Sequence, residues 1–393
     1  MKEAPYAWVV VWATFFALAI IFGVSYSFAA FFASFATEFN AQRADVALVF
    51  GLSGGVYFVA GAGAGMLADR FGPRAVTCCG MLLIAAGLLL CSFAGSMSMV
   101  YAAYGVGLGL GIALVYTPSI ACVQPWFTQR RGMAAGLASA GIGAGTVAVP
   151  LIATAAIAAL QWRDAMRALA AGVLVLGLCA AWLLRRAPAA GAVGNGRIPG
   201  LSLSEALRDR RFWWLYASIV LAAPTMFIPF AHVSAAARDM DVDAARAVGL
   251  VGLIGIGSLV GRFVIGALAD RLGRTLTLLL MQASLGLSIL AWFSAGSYPV
   301  LVFFALWFGM SYGGIVSLLP AISMDLFGAR AVAGIIGTLY TGAAVGNLLG
   351  PVLAGWVFDH AGTYMPVLWA CMALSALAAG ASARLLAWRR PAY

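Results

Sequence analysis

Charge is what this sequence has least of. Asp, Glu, Lys and Arg together supply 9% of its 393 residues, where a soluble domain carries roughly a quarter. A water-soluble fold is thereby excluded. Histidine is nearly missing too, with two residues, and all 13 acids fall at the ends of apolar runs or between them. An intramembrane enzyme needs paired acids, a metal cluster or a nucleophile beside a base at depth. None can be assembled from these residues, so the chain is not read as an enzyme. Cysteine offers no framework either. Cys78, Cys79, Cys91, Cys122, Cys179 and Cys371 all sit within apolar runs, and Cys78 and Cys79 are neighbours rather than a C-x-x-C pair. They read as small helix- or lipid-facing side chains, and neither metal, cofactor nor disulfide is expected.

What is abundant is apolar surface. Hydrophobic residues make up 64% of the chain and mean hydropathy is +1.00. About 20 apolar residues in a helix cross a hydrocarbon core about 30 Å thick, and in lipid each backbone donor must find its acceptor within the helix. Twelve such runs are predicted, at residues 7–35, 44–68, 75–94, 99–123, 132–157, 165–184, 212–236, 244–269, 275–295, 299–324, 331–358 and 365–387. The first follows Met1-Lys2-Glu3 closely and is too long for a signal peptide core, so it is read as a retained helix. The expected fold class is an all-α membrane protein of twelve transmembrane helices in two pseudo-symmetric six-helix bundles. Residues 1–184 form the first bundle, 185–211 a cytoplasmic linker and 212–393 the second bundle. The linker begins with Pro- and Gly-containing sequence. It ends in Ser202-Leu203-Ser204-Glu205, a capping box predicted to open a short basic amphipathic helix on the membrane surface.

The net charge of +10 records topology rather than nucleic-acid affinity. Of 23 basic residues, 17 lie in one alternating set of breaks, 5 in the other (Arg43, Arg163, Arg167, Arg238 and Arg246), and Arg262 lies within a span. The positive-inside rule places the richer set and both termini in the cytoplasm. The expected location is a bacterial-type inner (plasma) membrane, crossed many times, with the basic loops meeting anionic lipid. No nucleic acid is expected as a partner, and no oligomer is required.

The halves repeat. Gly65-Met66-Leu67-Ala68-Asp69-Arg70-Phe71-Gly72 returns as Gly266-Ala267-Leu268-Ala269-Asp270-Arg271-Leu272-Gly273. Phe127-Thr128-Gln129-Arg130 returns as Phe327-Gly328-Ala329-Arg330, and Pro118 and Pro150 return as Pro320 and Pro351. Two parallel repeats about an axis along the membrane normal build a carrier that rocks around a midplane cavity. Asp69 and Asp270 each end a helix on the predicted cytoplasmic side, with Arg70 and Arg271 just beyond. The carboxylates can accept from a neighbouring helix N-terminus, and the arginines, with Arg130, can pair across the seam and gate it. Simple interfacial anchoring is the alternative.

Arg262 is the sharpest single residue. It lies about 12 Å before Asp270 at 1.5 Å per residue, where a guanidinium costs about 2.5–3.5 kcal/mol on insertion scales. No acid within a span neutralises it, and the equivalent place in helix two is near Gly61. An unpaired cation on one half alone is what an anion site requires; bonding to backbone carbonyls, or snorkelling to the cytoplasmic face, is the alternative. Tyr116 and Tyr312 occupy comparable places in helices four and ten and can each donate a hydrogen bond to a carboxylate. Tyr26, Tyr340 and Asn347 are further candidates of the same sort. His232, alone near an outer helix end, is read as structural rather than as a titrating group.

The doubled octet resembles the signature loop of the major facilitator superfamily, and the resemblance covers the whole chain. Three stretches are similar to its monocarboxylate transporter group, which includes bacterial oxalate–formate exchangers. Tyr6-Ala7-Trp8-Val9-Val10 resembles the later part of an aromatic motif in the first helix, with Ala4-Pro5 in place of the preceding acidic-Gly pair. The run from Trp126 through Arg131-Gly132-Met133-Ala134-Ala135-Gly136 to Gly141 is similar to the group's second signature, with Gln129 where a basic residue is usual. Arg262 falls on the group's substrate-binding arginine, followed at the same distance by Gly266 and Asp270. Animal members carry an aspartate one turn earlier, tied to proton coupling, where this chain has Ser258. Oxalate exchangers carry a lysine in helix eleven, where it has Tyr340-Thr341-Gly342.

The resemblance implies secondary active, proton-coupled uptake of a small monocarboxylate of the lactate or pyruvate kind, by alternating access. One buried cation favours one carboxylate per site, since a second would stay uncompensated in low dielectric. Organic-anion exchange of the oxalate–formate type and drug efflux stand as alternatives. The paired Gly-Pro of efflux carriers is absent from Ala144-Gly145-Thr146-Val147-Ala148-Val149-Pro150.

Overall fold

With no water to bond, backbone amides in hydrocarbon pair within helices, and helices account for nearly all of this structure. The computed structural model describes residues 5–123, 126–127, 131–186, 200–328 and 332–387. Arg130 and the side chains of Asp69 and Asp270 lie outside the described residues, as does the expected linker sequence at 187–199. In the first half, α1 spans Pro5–Tyr26, α2 Phe28–Glu38, α3 Arg43–Phe71 and α4 Pro73–Ser92. After them come α5, Met97–Val123 with a π-helical stretch at Tyr101–Leu108, and α6, which begins as Arg131–Gly172 and runs on to Leu183. A short α7, Leu203–Arg208, starts at the predicted capping box: Ser202 Oγ accepts from the Glu205 amide, and Glu205 accepts from the Ser202 amide. The second half holds α8 (Arg210–Arg238), α9 (Ala244–Leu272), α10 (Arg274–Phe293), α11 (Tyr298–Phe327), α12 (Val332–Ala361) and α13 (Met365–Leu386).

Two local features modify the predicted spans. The first predicted span divides into α1 and α2 at Ser27, whose hydroxyl donates to the Gly23 carbonyl at 2.7 Å and draws that carbonyl toward a side chain. The fifth and sixth predicted spans follow one another within α6 and part at Gln161, inside the expected gap at 158–164. Among the described residues, 11 stretches are long and apolar enough to cross a membrane, and Gly136–Leu183 is counted as one of them at 48 residues. At 1.5 Å per residue it would reach about 72 Å, over twice the hydrocarbon thickness. Gln161 breaks it, with φ 67° and ψ 163°, so α6 has two limbs on either side of that residue.

The repeat is geometric as well as textual. A shift of 201 residues carries Arg43–Phe71 onto Ala244–Leu272 and Pro73–Ser92 onto Arg274–Phe293. The same shift takes Gly72, φ 91°, onto Gly273, φ 92°, and Asn40, φ 47°, onto Asp241, φ 59°. Glycine ends each octet because the chain turns there through a left-handed conformation that a side chain would strain. Arg262 maps by this shift onto Gly61, so the cation belongs to one half only.

The halves meet along α3 with α12 and α6 with α9. At the arginine-poor end they are clasped. Asp359 of α12 accepts from the Arg43 and Ala44 amides at 3.1 and 3.0 Å, capping α3 from the opposite half. The Arg43 guanidinium pairs with Asp239, donates to the Tyr364 hydroxyl at 2.9 Å and lies 3.8 Å above the Phe358 ring. Burial pushes the Tyr364 phenol up to about 12 although Arg43 opposes it, so it remains a donor. Beneath it His232 is fully buried, with Nε2 2.8 Å from the Pro351 carbonyl and Nδ1 2.9 Å from the Tyr364 hydroxyl. The carbonyl can only accept, so Nε2 carries the proton and Nδ1 accepts from Tyr364. His232 is thus a satisfied structural histidine.

Close backbone approach completes the clasp. A Cβ on Gly355 would stand 2.6 Å from the Ala44 nitrogen, and one on Gly51 2.8 Å from the Leu348 carbonyl. At the arginine-rich end a Cβ on Gly63, Gly72, Gly266, Gly273 or Gly337 would meet nothing within 4 Å. Removing the Asp359 carboxylate by Asp359→Ala forfeits charge-assisted bonds of about 1.5–3 kcal/mol each. Spin labels on Asn40→Cys and Asp241→Cys, in a background lacking the native cysteines, should then show a roughly tenfold larger separated population. An unchanged distance distribution would rule out the clasp.

Candidate functional site

α9 brings Arg262 to mid-membrane depth. Ten residues separate it from Leu272, about 15 Å along the helix and half the hydrocarbon thickness. The side chain is half-buried and lines a cavity of about 700 Å³ between the two halves. Its one hydrogen bond, Nε to Ser258 Oγ, is 3.5 Å long, at the weak limit for such a bond. Among the described residues, no carboxylate forms an ion pair with it. The guanidinium therefore points neither into lipid nor at an acid.

Hydroxyls gather around this charge. Tyr116 of α5, Tyr312 of α11 and Tyr340 of α12 line the cavity and lie within the field of Arg262. All three were expected from sequence, and the fold brings them together from both halves. Tyr26 feels the same charge but is absent from the cavity wall. Its hydroxyl bonds that of Tyr312 at 3.3 Å, and its ring stacks on Phe230 at 4.3 Å. That places it as a support for Tyr312 across the halves. Asn347 also lies elsewhere: its amide donates to the Phe50 and Gly51 carbonyls at 3.5 and 3.3 Å, joining α12 to α3. Its amide nitrogen would be 1.8 Å from a Cβ on Gly54, so glycine is required there.

Of the residues expected to gate the arginine-rich end, only the Arg70 and Arg271 side chains fall among those described. Arg70 is exposed with its guanidinium 5.2 Å over Phe71, and Arg271 is exposed. Among the described contacts at that end, Arg74 Nε donates to the Leu184 carbonyl at 3.2 Å and Arg274 to Asp325 at 2.8 Å.

Sequence reasoning missed the apolar wall opposite the cation. Phe22, Tyr57 and Phe58 from the first half face Met226 and Phe227 of α8 around the cavity, with Gln282 of α10 also contributing. Gln282 is already engaged, donating to the Ser218 carbonyl at 3.4 Å and accepting from Ser382 at 2.7 Å. No sequence signal separates these aromatics from Phe16 or Phe303, which the structure leaves on its periphery at 54% and 57% exposure.

Two repeated helical halves around a central cavity define a membrane transporter. The profile of the Major Facilitator Superfamily matches residues 14–337 and 225–393. The chain is 31% identical over 364 residues to monocarboxylate transporter 13 of Bos taurus, covering 92% of this chain and 85% of that protein. It is also 31% identical over 374 residues to monocarboxylate transporter 3 of Rattus norvegicus, covering 92% and 76%. A crystal structure of a bacterial homolog to the human lysosomal transporter Spinster, inward-facing and unoccupied, superposes with a TM-score of 0.73. That match covers 98% of this chain and 96% of the other at 15% identity, a likeness of fold alone. The chain belongs to the major facilitator superfamily, in its monocarboxylate transporter-like group. It is a transporter and not an enzyme.

An unpaired cation at this depth is a burden on the empty protein. Arg262→Met should leave the ligand-free melting temperature unchanged or raise it by a few degrees. A fall of more than about 5 °C, on the order of 4 kcal/mol of stability for a chain of this length, would show that Arg262 serves packing instead.

Proposed function

We propose that this protein moves a monocarboxylate across the membrane by alternating access. What carries the reading is Arg262: a cavity-facing guanidinium at mid-depth that no described carboxylate neutralises. A bound carboxylate supplies the missing charge, and in low dielectric a charge-assisted pair is far stronger than in water. Tyr116 and Tyr312 donate to the carboxylate, and Tyr340 flanks them. The relatives named as monocarboxylate transporters point the same way. A dicarboxylate would bury one charge without a partner.

The positive-inside rule makes the arginine-rich end cytoplasmic, so the clasp of Arg43, Asp239 and Asp359 closes the outward side. In the opposite state the octets at Asp69–Gly72 and Asp270–Gly273 close the inner side, with Arg70, Arg271 and Arg130. Binding favours the transition because the anion lowers the energy of Arg262 in the occluded state.

In proteoliposomes, Arg262→Gln should reduce saturable uptake of labelled monocarboxylates, from lactate and pyruvate to longer acids, by at least about 100-fold. Undiminished saturable uptake would refute the assignment.

A second reading of the coupling rests on a specific observation. Ser258 stands one turn from Arg262, and among the described residues lining the cavity none is acidic. The empty carrier then has nothing to neutralise its cation on the return step, which favours exchange of one anion for another over proton symport. Internal unlabelled acid should accelerate uptake of external label several-fold. Uptake driven by an inward proton gradient into acid-free vesicles, with no such acceleration, would favour symport.

A further inference from the structure

We propose that the transported acid carries an aromatic ring on a short chain, and has neither an amino group nor a second carboxylate. The inference rests on Arg262 as the partner of the carboxylate and adds what the remainder of the molecule must be. Seven of the eighteen residues lining the cavity are aromatic, against 12% of the chain, so rings are concentrated here about threefold. Six of them, all but Tyr312, form one connected wall. Phe58 lies 4.0 Å from Tyr57, 5.8 Å from Phe227 and 5.8 Å from Tyr340, centroid to centroid. Phe227 and Tyr340 belong to the second half and Phe58 to the first, so a ring seated among them touches both halves.

The rings do not serve the guanidinium. Among the described residues, every arginine lying over a ring is elsewhere, and Arg262 is over none. Cation–π stabilisation of the empty site is therefore not their purpose. Aromatic walls instead offer edge and face contacts to another ring, and Met226 beside them adapts to its outline. The cavity lining is largely apolar beyond Arg262. A three-carbon acid held at Arg262 lacks the apolar surface to cover that lining. An arylalkanoate covers that wall while its carboxylate reaches Arg262.

Charge sets the other limits. An ammonium on the substrate would find no acid among the described lining residues, and a second carboxylate would find no second cation. Both would be desolvated without compensation. Zwitterionic aromatic amino acids and aryl diacids are thereby disfavoured, and lactate- and pyruvate-sized acids bind more weakly than an arylalkanoate.

The test is calorimetric titration of the full-length detergent-purified protein with 3-phenylpropionate, propionate, phenylalanine, phenylsuccinate and 3-phenylpropanol. The expected result is 3-phenylpropionate binding about 30-fold or more tightly than propionate, from burial of one ring. Phenylalanine and phenylsuccinate should each bind at least about tenfold more weakly than 3-phenylpropionate. Phe58→Leu, with Phe227→Leu as a second variant, should weaken 3-phenylpropionate about fivefold more than propionate. Equal affinity for propionate and 3-phenylpropionate overturns the proposal, as does an absence of binding by all five compounds. In Arg262→Gln, 3-phenylpropionate should fall to the affinity of 3-phenylpropanol. Full retention there would instead defeat the carboxylate reading itself, leaving the ring preference of the wild type to be judged separately.

Discussion

A guanidinium held halfway through a hydrocarbon layer organises the rest of this molecule. Insertion of such a group costs about 2.5–3.5 kcal/mol even where the protein can relax around it, and Arg262 recovers little through a 3.5 Å contact with Ser258. It survives at that depth because it faces a cavity between two halves and not acyl chains. The cavity lies between halves that are clasped at the arginine-poor end.

The clasp shows how little force is needed to set that geometry. Asp359 caps the start of α3 from across the seam, and Arg43 gathers Asp239 and Tyr364 beside it. Glycines at 51, 54 and 355 let the backbones approach until an added Cβ would collide. In lipid there is no hydrophobic force between helices, so small residues and interhelical hydrogen bonds carry association. A few kcal/mol on one face are then enough to hold the halves together there.

The asymmetry of the two halves matters as much as their repetition. The shift of 201 residues reproduces helix lengths and the left-handed glycines that end α3 and α9. It does not reproduce chemistry, since Gly61 stands where Arg262 does. One half contributes the cation, and the other contributes Tyr116, Phe22, Tyr57 and Phe58 facing it. The repeat supplies the hinge geometry, and its violation supplies the site.

The sequence by itself determined the solvent, the helices, the repeat, the capped α7 and the suspicion attached to Arg262. These follow from local facts: apolar length, glycine and proline placement, and the cost of one charge in an uncharged run. The split at Ser27 depends on a single backbone conformation and was not legible, whereas the break at Gln161 falls inside the gap expected at 158–164. Nor was the aromatic wall, because in a membrane protein lipid and cavity both accept phenylalanine, and the alternation that marks a buried face in water is lost. Tyr26 and Asn347 looked equivalent to Tyr116 in the chain. Only the packing of one half against the other separated a hydroxyl facing the cavity from one bonded to Tyr312 and an amide pinning α12 to α3.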